Sequence, residues 1–260
     1  MEESELREKT ALLRQWLDRA EHAVILTGAG VSTDSGLADF RSRDKGIYNQ
    51  SNPYGCSTDR ILSPEFYNAH PYEFFEFYRT KLLNLAAPPN MVHYAIADME
   101  RKGRIAAVLT QNADNLHQRA GSVKVVDFHG NVYDNSCPNC GRKFHPRVVA
   151  ECDGVPRCQC GGIIRPGIVL FGEIPDMGKI MEAVKQLRLS DLLIVAGSSL
   201  QVSSSYKLLK NYKGKMAILN LDPTPFDGRA DLVINAGLAD IFRLLWPMDG
   251  EEAGKLTPET

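Results

Sequence analysis

Four of the six cysteines in this chain fall in two close pairs, Cys137-Pro-Asn-Cys140 and, seventeen residues later, Cys158-Gln-Cys160. Two such knuckles offer four thiolates to a tetrahedral zinc ion. The second pair is C-x-C where C-x-x-C is commoner, which leaves Cys152 or His145 as alternatives for one ligand. With four protein ligands no position stays open for water, so a metal here holds structure together and does not catalyse. Because the segment interrupts a larger fold, a free-standing zinc ribbon is the weaker reading.

A second chemical signal lies at Thr27 to Arg41, T-G-A-G-V-S-T-D-S-G-L-A-D-F-R, directly after the apolar run Ala23 to Leu26. A buried strand entering a Gly-x-Gly turn at Gly28 and Gly30 lets backbone N–H groups approach a pyrophosphate, although a plain tight turn has the same look. Thr33 stands where a dehydrogenase fingerprint has its third glycine, and the polar, turn-rich stretch after Phe40 contains no second strand with an acidic end. A ribose-gripping carboxylate is therefore missing. In its place is a loop carrying Asp39, Phe40 and Arg41, long enough to fold over a nucleotide.

These groups need a scaffold that gathers strand ends. Apolar runs at Ile105 to Leu109, Val123 to Phe128, Leu192 to Ala196 and Met216 to Leu219 deliver Gln111-Asn112-Ala113-Asp114, His129-Gly130, Gly197-Ser198-Ser199 and Asn220-Leu221-Asp222. In a doubly wound parallel sheet that edge is where ligands bind. His129 is the only histidine placed there directly after an apolar run, whereas His22, His70 and His93 read as structural. An imidazole titrating near neutrality suits a general base. A sixth run, Leu232 to Ile234, completes the sheet.

Around the strands the 3.6-residue period predicts helices at Ser4 to Ala20, Ile61 to Leu85, Met91 to Arg101 and Ile241 to Trp246. Phe66, Tyr67, Phe74, Phe75, Phe77 and Tyr78 in the second of these read as the core of a smaller lobe, with a binding surface as the alternative. The expected fold is α/β: a Rossmann-like doubly wound parallel sheet with a small zinc-ribbon plus helical lobe. Residues 1–41, 102–132 and 165–248 form the large nucleotide-binding domain, 42–101 a helical module with the cofactor loop, 133–164 the zinc module, and 249–260 a flexible tail.

With 43% hydrophobic and 24% charged residues the composition is that of an ordinary globular protein. A net charge of −2 supplies no overall basic field, so direct nucleic-acid binding is not expected. The acidic start M-E-E-S-E-L-R-E-K-T lacks the order of a secretory signal, and no apolar run approaches the roughly 20 residues of a membrane span. A cytoplasmic monomer is the expectation.

G-A-G-V-S-T-D-S-G-L-A-D-F-R resembles the cofactor signature of the sirtuins, the NAD-consuming protein deacylases. T-Q-N-A-D-N-L-H-Q-R-A-G is similar to their nicotinamide and ribose pocket, and F-H-G to the segment of the catalytic histidine. R-P-G-I-V-L-F-G-E is similar to their acyl-lysine channel, and G-S-S-L-Q-V to their adenosine site. The likeness spans about residues 20 to 245. It implies NAD as co-substrate, a structural zinc, acylated lysines of proteins or peptides as partners, and transfer of the acyl group to ADP-ribose as nicotinamide leaves. Protein mono-ADP-ribosylation by the same fold is the alternative.

The resemblance also assigns roles. His129 is the base toward the ribose hydroxyls, with Asn112 and Asp114 against the carboxamide and Gln111 and Ala113 beside them. Phe40 shields the anomeric carbon, and Arg41 with the amides of Gly28, Ala29 and Gly30 holds the phosphates, flanked by Thr33 and Asp39. Gly197, Ser198, Ser199, Asn220, Leu221 and Ala239 seat the adenosine half. Val169, Phe171, Gly172 and Glu173 line the substrate tunnel, and Tyr78 with Lys81 stands where desuccinylase-type members carry a Tyr and an Arg. Two departures fall on this machinery: Ala38 where proline is usual, and Ala113 where isoleucine or valine is usual. Lysine lacks the bidentate fork of arginine, so neutral acyl groups are expected.

Overall fold

The computed structural model describes residues 1–42, 46–201 and 207–248. In chain order it contains α1 (Glu3–Arg19), β1 (Ala23–Thr27), α2 (Thr58–Ile61), α3 (Pro64–Ala69), α4 (Pro71–Lys81), α5 (Met91–Arg101), β2 (Ala107–Thr110), α6 (Leu116–Arg119) and β3 (Val125–Asp127). There follow β4 (Asn135–Ser136), β5 (Lys143–Phe144), α7 (Arg147–Ala150), α8 (Met177–Leu189), β6 (Leu192–Ala196), β7 (Lys215–Leu219), β8 (Leu232–Ile234) and α9 (Leu238–Leu245).

Six strands form one sheet in the order β3-β2-β1-β6-β7-β8, with every neighbouring pair parallel. The chain builds outward from β1 to β3, then returns to lay β6 on the other side of β1 and builds outward again. The strand order thus reverses between β1 and β6, and beyond their carboxyl ends a crevice opens. β1 and β6 are buried along their whole length because helices cover both faces of the sheet. Alternate residues feed two cores: Ile25, Leu192 and Ile194 pack with α1, α5 and α9, whereas Val24, Leu26, Leu193 and Val195 pack with Ala183 and Leu187 of α8.

A third core belongs to the remaining segments. Phe74, Phe75, Phe77 and Tyr78 of α4 are buried with Tyr67, Val149, Ile164, Cys137 and Cys158, so the helical and zinc-module segments share one interior. The aromatic run is thus packing, and Tyr78 belongs to the cavity wall as well. α5, grouped above with residues 42–101, instead buries Val92, Ala95, Ile96 and Met99 in the sheet's core.

Several expectations need correction. The single helix expected over 61–85 is three, because Pro64 and Pro71 each open a new helix, and Ser63 caps the first by accepting the Phe66 N–H. The strand expected from Val123 starts at Val125; Val123 is 90% exposed, and its N–H and that of Lys124 are held by the Glu100 carboxylate. The last helix begins three residues earlier than expected, at Leu238. α8 was not foreseen, although Asp176 caps it by accepting the Lys179 N–H and Ala183 and Leu187 recur at helical spacing. The expected tail at 249–260 lies outside the described residues.

Candidate active site

Gly28 and Gly30 leave β1 directly beside Gly197, which leaves β6. A Cβ on Gly28 would lie 2.7 Å from the Gly197 carbonyl oxygen, and one on Gly30 2.9 Å from the Gly197 Cα. Gly197 itself is left-handed, with φ 62°. The glycines are therefore required first by the close approach of two strand ends, and a backbone-lined floor to the crevice results. Above it is a cavity of about 1180 Å³, larger than the roughly 300–1,000 Å³ of a single small-molecule site. Gly28, Ala29, Gly30, Thr33, Asp39, Phe40, Arg41, Gln111, Asn112, Ala113, Asp114 and His129 lie on its wall. So do Gly197, Ser198, Ser199, Asn220, Leu221, Ala239, Tyr78, Lys81, Val169, Phe171, Gly172 and Glu173.

At the end of β3 the chain turns at Gly130, where φ is 85° and a Cβ would meet the Gly167 carbonyl oxygen at 2.1 Å. This turn presents His129. Its Nδ1–H donates to the Gln111 carbonyl (3.1 Å), which fixes the tautomer so that Nε2 carries the basic lone pair. Burial lowers its pKa, opposed by the Gln111 contact, so the ring is neutral at pH 7 and ready to accept a proton. The His129 carbonyl accepts the Val169 N–H (2.8 Å), and Gly130 bridges Ile168, so the segment around residues 168–169 is hydrogen-bonded to the histidine turn.

Asp114 and Asn112 are held from behind by Ser32, which the sequence reading passed over. Ser32 Oγ donates to Asp114 Oδ2 (2.6 Å), the Leu116 N–H donates to Oδ1 (2.9 Å), and burial raises the Asp114 pKa against these bonds. Asn112 Nδ2 donates to the Gly28 carbonyl (3.2 Å) and to Ser32 Oγ (3.1 Å). Both amide hydrogens are engaged in this way, so Oδ1 is the atom left to meet a ligand donor. His93 Nε2 lies 3.4 Å from Ser32 Oγ, while its Nδ1 accepts the Asn90 N–H in a capping box on α5. The only signal for Ser32 in the sequence was its place in G-A-G-V-S, since an isolated serine carries no spacing pattern.

On the loop over the crevice, Asp39 Oδ1 accepts the N–H groups of Arg41 (2.7 Å) and Ser42 (2.6 Å). Phe40 packs on Tyr48, and the Arg41 guanidinium lies over the same ring. Ser198 Oγ accepts from Gln111 Nε2 (2.7 Å), joining the β6 end to the β2 end. Glu173 has a structural duty: Arg165 Nη2 contacts both its oxygens at 2.7 Å and the Leu170 N–H donates to Oε2. Its charge is thus spent on shaping the 165–173 loop. Tyr78 Oη is buried without a hydrogen-bond partner among the described residues, and Lys81 Nζ donates to Gln50 Oε1 (2.7 Å).

Across the lobe, the sulfurs of Cys137, Cys140, Cys158 and Cys160 all lie within 4.8 Å of one another. Cys137 and Cys160 sulfurs are 3.4 Å apart and those of Cys140 and Cys158 3.6 Å apart. Four sulfurs at about 2.3 Å from one zinc would be separated by about 3.8 Å, so the donor set and its span fit that ion. Cys152 and His145 are outside the cluster: the former faces the Asp153 carbonyl and the latter packs on Tyr133.

A parallel sheet with a crevice at its switch point, a neutral histidine on the rim and a four-thiolate lobe beside it define a nucleotide-binding enzyme of the α/β class. The Sir2 family model matches residues 28–204. The chain belongs to the Sir2 family. It is 41% identical to the NAD-dependent protein deacetylase of Cutibacterium acnes over 87% of this chain and 93% of that one. The NAD-dependent protein deacetylase of Sulfolobus acidocaldarius is also 41% identical, over 82% and 84% of the two chains. A solved structure of Sir2 with a p53 peptide and NAD+ has a TM-score of 0.80 at 37% identity, covering 95% of this chain and 99% of that one. Sir2 bound to an acetylated peptide superposes with a TM-score of 0.80 at 35% identity, covering 96% and 100%.

Proposed function

We propose that the chain is an NAD-dependent protein-lysine deacetylase that transfers the acyl group from lysine to ADP-ribose and releases nicotinamide. The observation that carries this reading is the pose of His129, a neutral base anchored through Nδ1 on the cavity rim between the Asn112/Asp114 wall and the Val169 segment. When bound, NAD would supply an electrophilic anomeric carbon with nicotinamide as its leaving group. Asn112 Oδ1 and Asp114 hold the carboxamide, and leaving those groups unmet would cost a few kcal/mol. The Gly28–Gly30 turn and Arg41 receive the phosphates, and Phe40 excludes water from the reacting carbon. His129 Nε2 takes the proton of a ribose hydroxyl. The acylated peptide runs as a strand beside Val169 to Glu173.

The reaction is assigned to the cytoplasm on the reducing conditions that four metal-binding thiols require. Among the described residues no helix is long and apolar enough to cross a membrane. A net charge of −2 supports a chain that acts without nucleic acid, and we place it as a monomer. One assay tests the function: NAD and an acetylated peptide are incubated with the protein, following nicotinamide, peptide mass, NADH absorbance and label transfer to protein. Equimolar nicotinamide and deacetylated peptide are expected. ADP-ribose appearing on protein in place of peptide deacetylation would overturn the assignment in favour of mono-ADP-ribosylation.

Acyl selectivity follows from Lys81. Its ammonium is already engaged by Gln50 and lacks a guanidinium fork, so an acidic acyl group gains little from it. An acetyl-lysine peptide is therefore expected to exceed its succinyl counterpart in kcat/KM. A preference for succinyl would show that Lys81 leaves Gln50 for the ligand.

Ala113 sets a second expectation. It lies on the cavity wall and packs against the lobe core, while its carbonyl accepts the Val132 N–H (2.9 Å). A branched side chain there would add about 1–3 kcal/mol of packing to a ligand held mainly by that wall. NAD is also held elsewhere, so Ala113→Ile is expected to tighten inhibition by nicotinamide more than it lowers the KM for NAD. Unchanged inhibition at fixed NAD and peptide would mean that residue 113 acts through its backbone alone.

A further inference from the structure

Immediately after the tunnel segment the chain shows water three large apolar side chains that the fold does not use. Ile174 is 81% exposed, Met177 59% and Met181 60%. Met177 and Met181 are four residues apart on α8 and so project from one face, and Ile174 stands two residues before the Asp176 cap of that helix. The opposite face of α8 does the packing, with Ala183 and Leu187 buried against the sheet. Isolated exposed apolar residues are ordinary, but three grouped beside a cleft are not.

We propose that Ile174, Met177 and Met181 form a docking strip for the protein substrate, gripping aliphatic or aromatic side chains that flank the acyl-lysine. The inference rests on the deacetylase reading of the neighbouring cavity. Continuity supports it: Ile174 and Met177 share the cavity wall with Phe171 and Gly172, so a chain entering beside those residues passes over the strip. The platform is also rigid. Glu173 is clamped by Arg165, Asp176 caps α8, and Lys179 reaches across to Asp127 at 2.5 Å, which ties the helix to the last residue of β3, two positions before His129. A backbone already held in place leaves only the side chains of the strip to be ordered on binding. Methionines with several rotatable bonds adapt to differing apolar partners, which suits an enzyme that accepts more than one sequence.

The chain's own end is a poorer occupant. Met248, the last described residue, is partly buried against the core on the α9 face of the sheet, whereas α8 covers the other face.

The test uses acetyl-lysine peptides of equal length and charge, with leucine, phenylalanine or serine placed at successive positions on either side of the modified lysine. Affinity is read by fluorescence anisotropy and turnover by kcat/KM with NAD, for the parent, Met177→Ser/Met181→Ser and Ile174→Ser. An apolar residue on one side of the lysine is expected to tighten binding by about 5- to 20-fold. That gain should largely vanish in the double variant and shrink in Ile174→Ser. Equal affinity of the parent for leucine and serine peptides, or a gain that survives the double substitution, would overturn the strip. A dimer dispersed by the same substitutions would overturn it too, as would a preference seen only after residues 249–260 are removed. Because anisotropy needs no turnover, peptides bound with the apolar preference but never deacetylated would sink the deacetylase reading and leave the strip standing.

Discussion

His129→Ala is expected to keep the fold and NAD binding while lowering deacetylation kcat by roughly 10²- to 10⁴-fold, the range a positioned general base contributes. The substitution removes Nε2 and also the Nδ1–H that faces the Gln111 carbonyl. That carbonyl borders a large cavity, so water can replace the lost donor, and the cost falls on chemistry more than on stability. Near-normal turnover in a folded His129→Ala protein would remove the histidine from its proposed role.

The pH dependence follows from the same contact. Burial depresses the His129 pKa, so the active neutral form is present at pH 7 and is lost only as pH falls below the ordinary histidine range. The acid limb of kcat is expected to have its midpoint lower than that of a free imidazole. His93 is depressed by burial as well, and burial takes His117 down to about 4. Unfolding lets these rings bind protons that the native state refuses, so stability is present above the unfolded histidine pKa and falls as pH drops toward the folded values. Far-UV circular dichroism recorded across the same range separates the two: a kinetic midpoint at lower pH than the loss of structure would be inconsistent with both assignments.

One zinc per chain, bound tightly enough that its removal unfolds the smaller lobe, is the other large effect. Structural zinc sites contribute about 10–16 kcal/mol at pH 7 in small modules. The four ligands are not equivalent in their surroundings. Cys137 and Cys158 are buried with Phe74, Tyr78 and Leu170, whereas Cys140 and Cys160 face solvent. Cys137→Ala or Cys158→Ala is therefore expected to aggregate more readily than Cys140→Ala, since it also opens the shared core. Chelation should abolish activity, because the same core supports Tyr78 and Leu170 on the cavity wall. Metal analysis finding no zinc in well-folded protein, or full activity after complete metal removal, would refute the assignment.

Much of the architecture was written locally in the chain. Strands buried on both sides appear as continuous apolar runs, so β1 and β6 were legible from Ala23 to Leu26 and from Leu192 to Ala196, and so was the habit of ending each strand on polar or glycine residues. Cysteine pairs declare a metal because thiolate spacing is a local property, so the two pairs already pointed to Cys137, Cys140, Cys158 and Cys160, and the convergence of those four sulfurs sets Cys152 and His145 aside. The break of the 61–85 run at Pro64 and Pro71 was also available locally, from the restricted backbone of the residue before each proline.

What only the tertiary structure decided are pairings between distant residues. Gly28 and Gly197 are 169 positions apart, and no local pattern says that Gly28 must lack a side chain because the Gly197 carbonyl oxygen lies 2.7 Å from where its Cβ would stand. Ser32 became a support for Asp114 only when β1 and β2 were laid side by side, and Glu173 became a loop clamp only when Arg165 folded back on it. α8 escaped notice because its apolar residues serve two surfaces, Ala183 and Leu187 toward the sheet and Met177 and Met181 toward water, which blurs the single stripe that a period of 3.6 would reveal. Local sequence sets backbone preference and the chemistry on offer; which side chains meet is set by the sum of packing across the whole chain, where separation along the sequence carries no information.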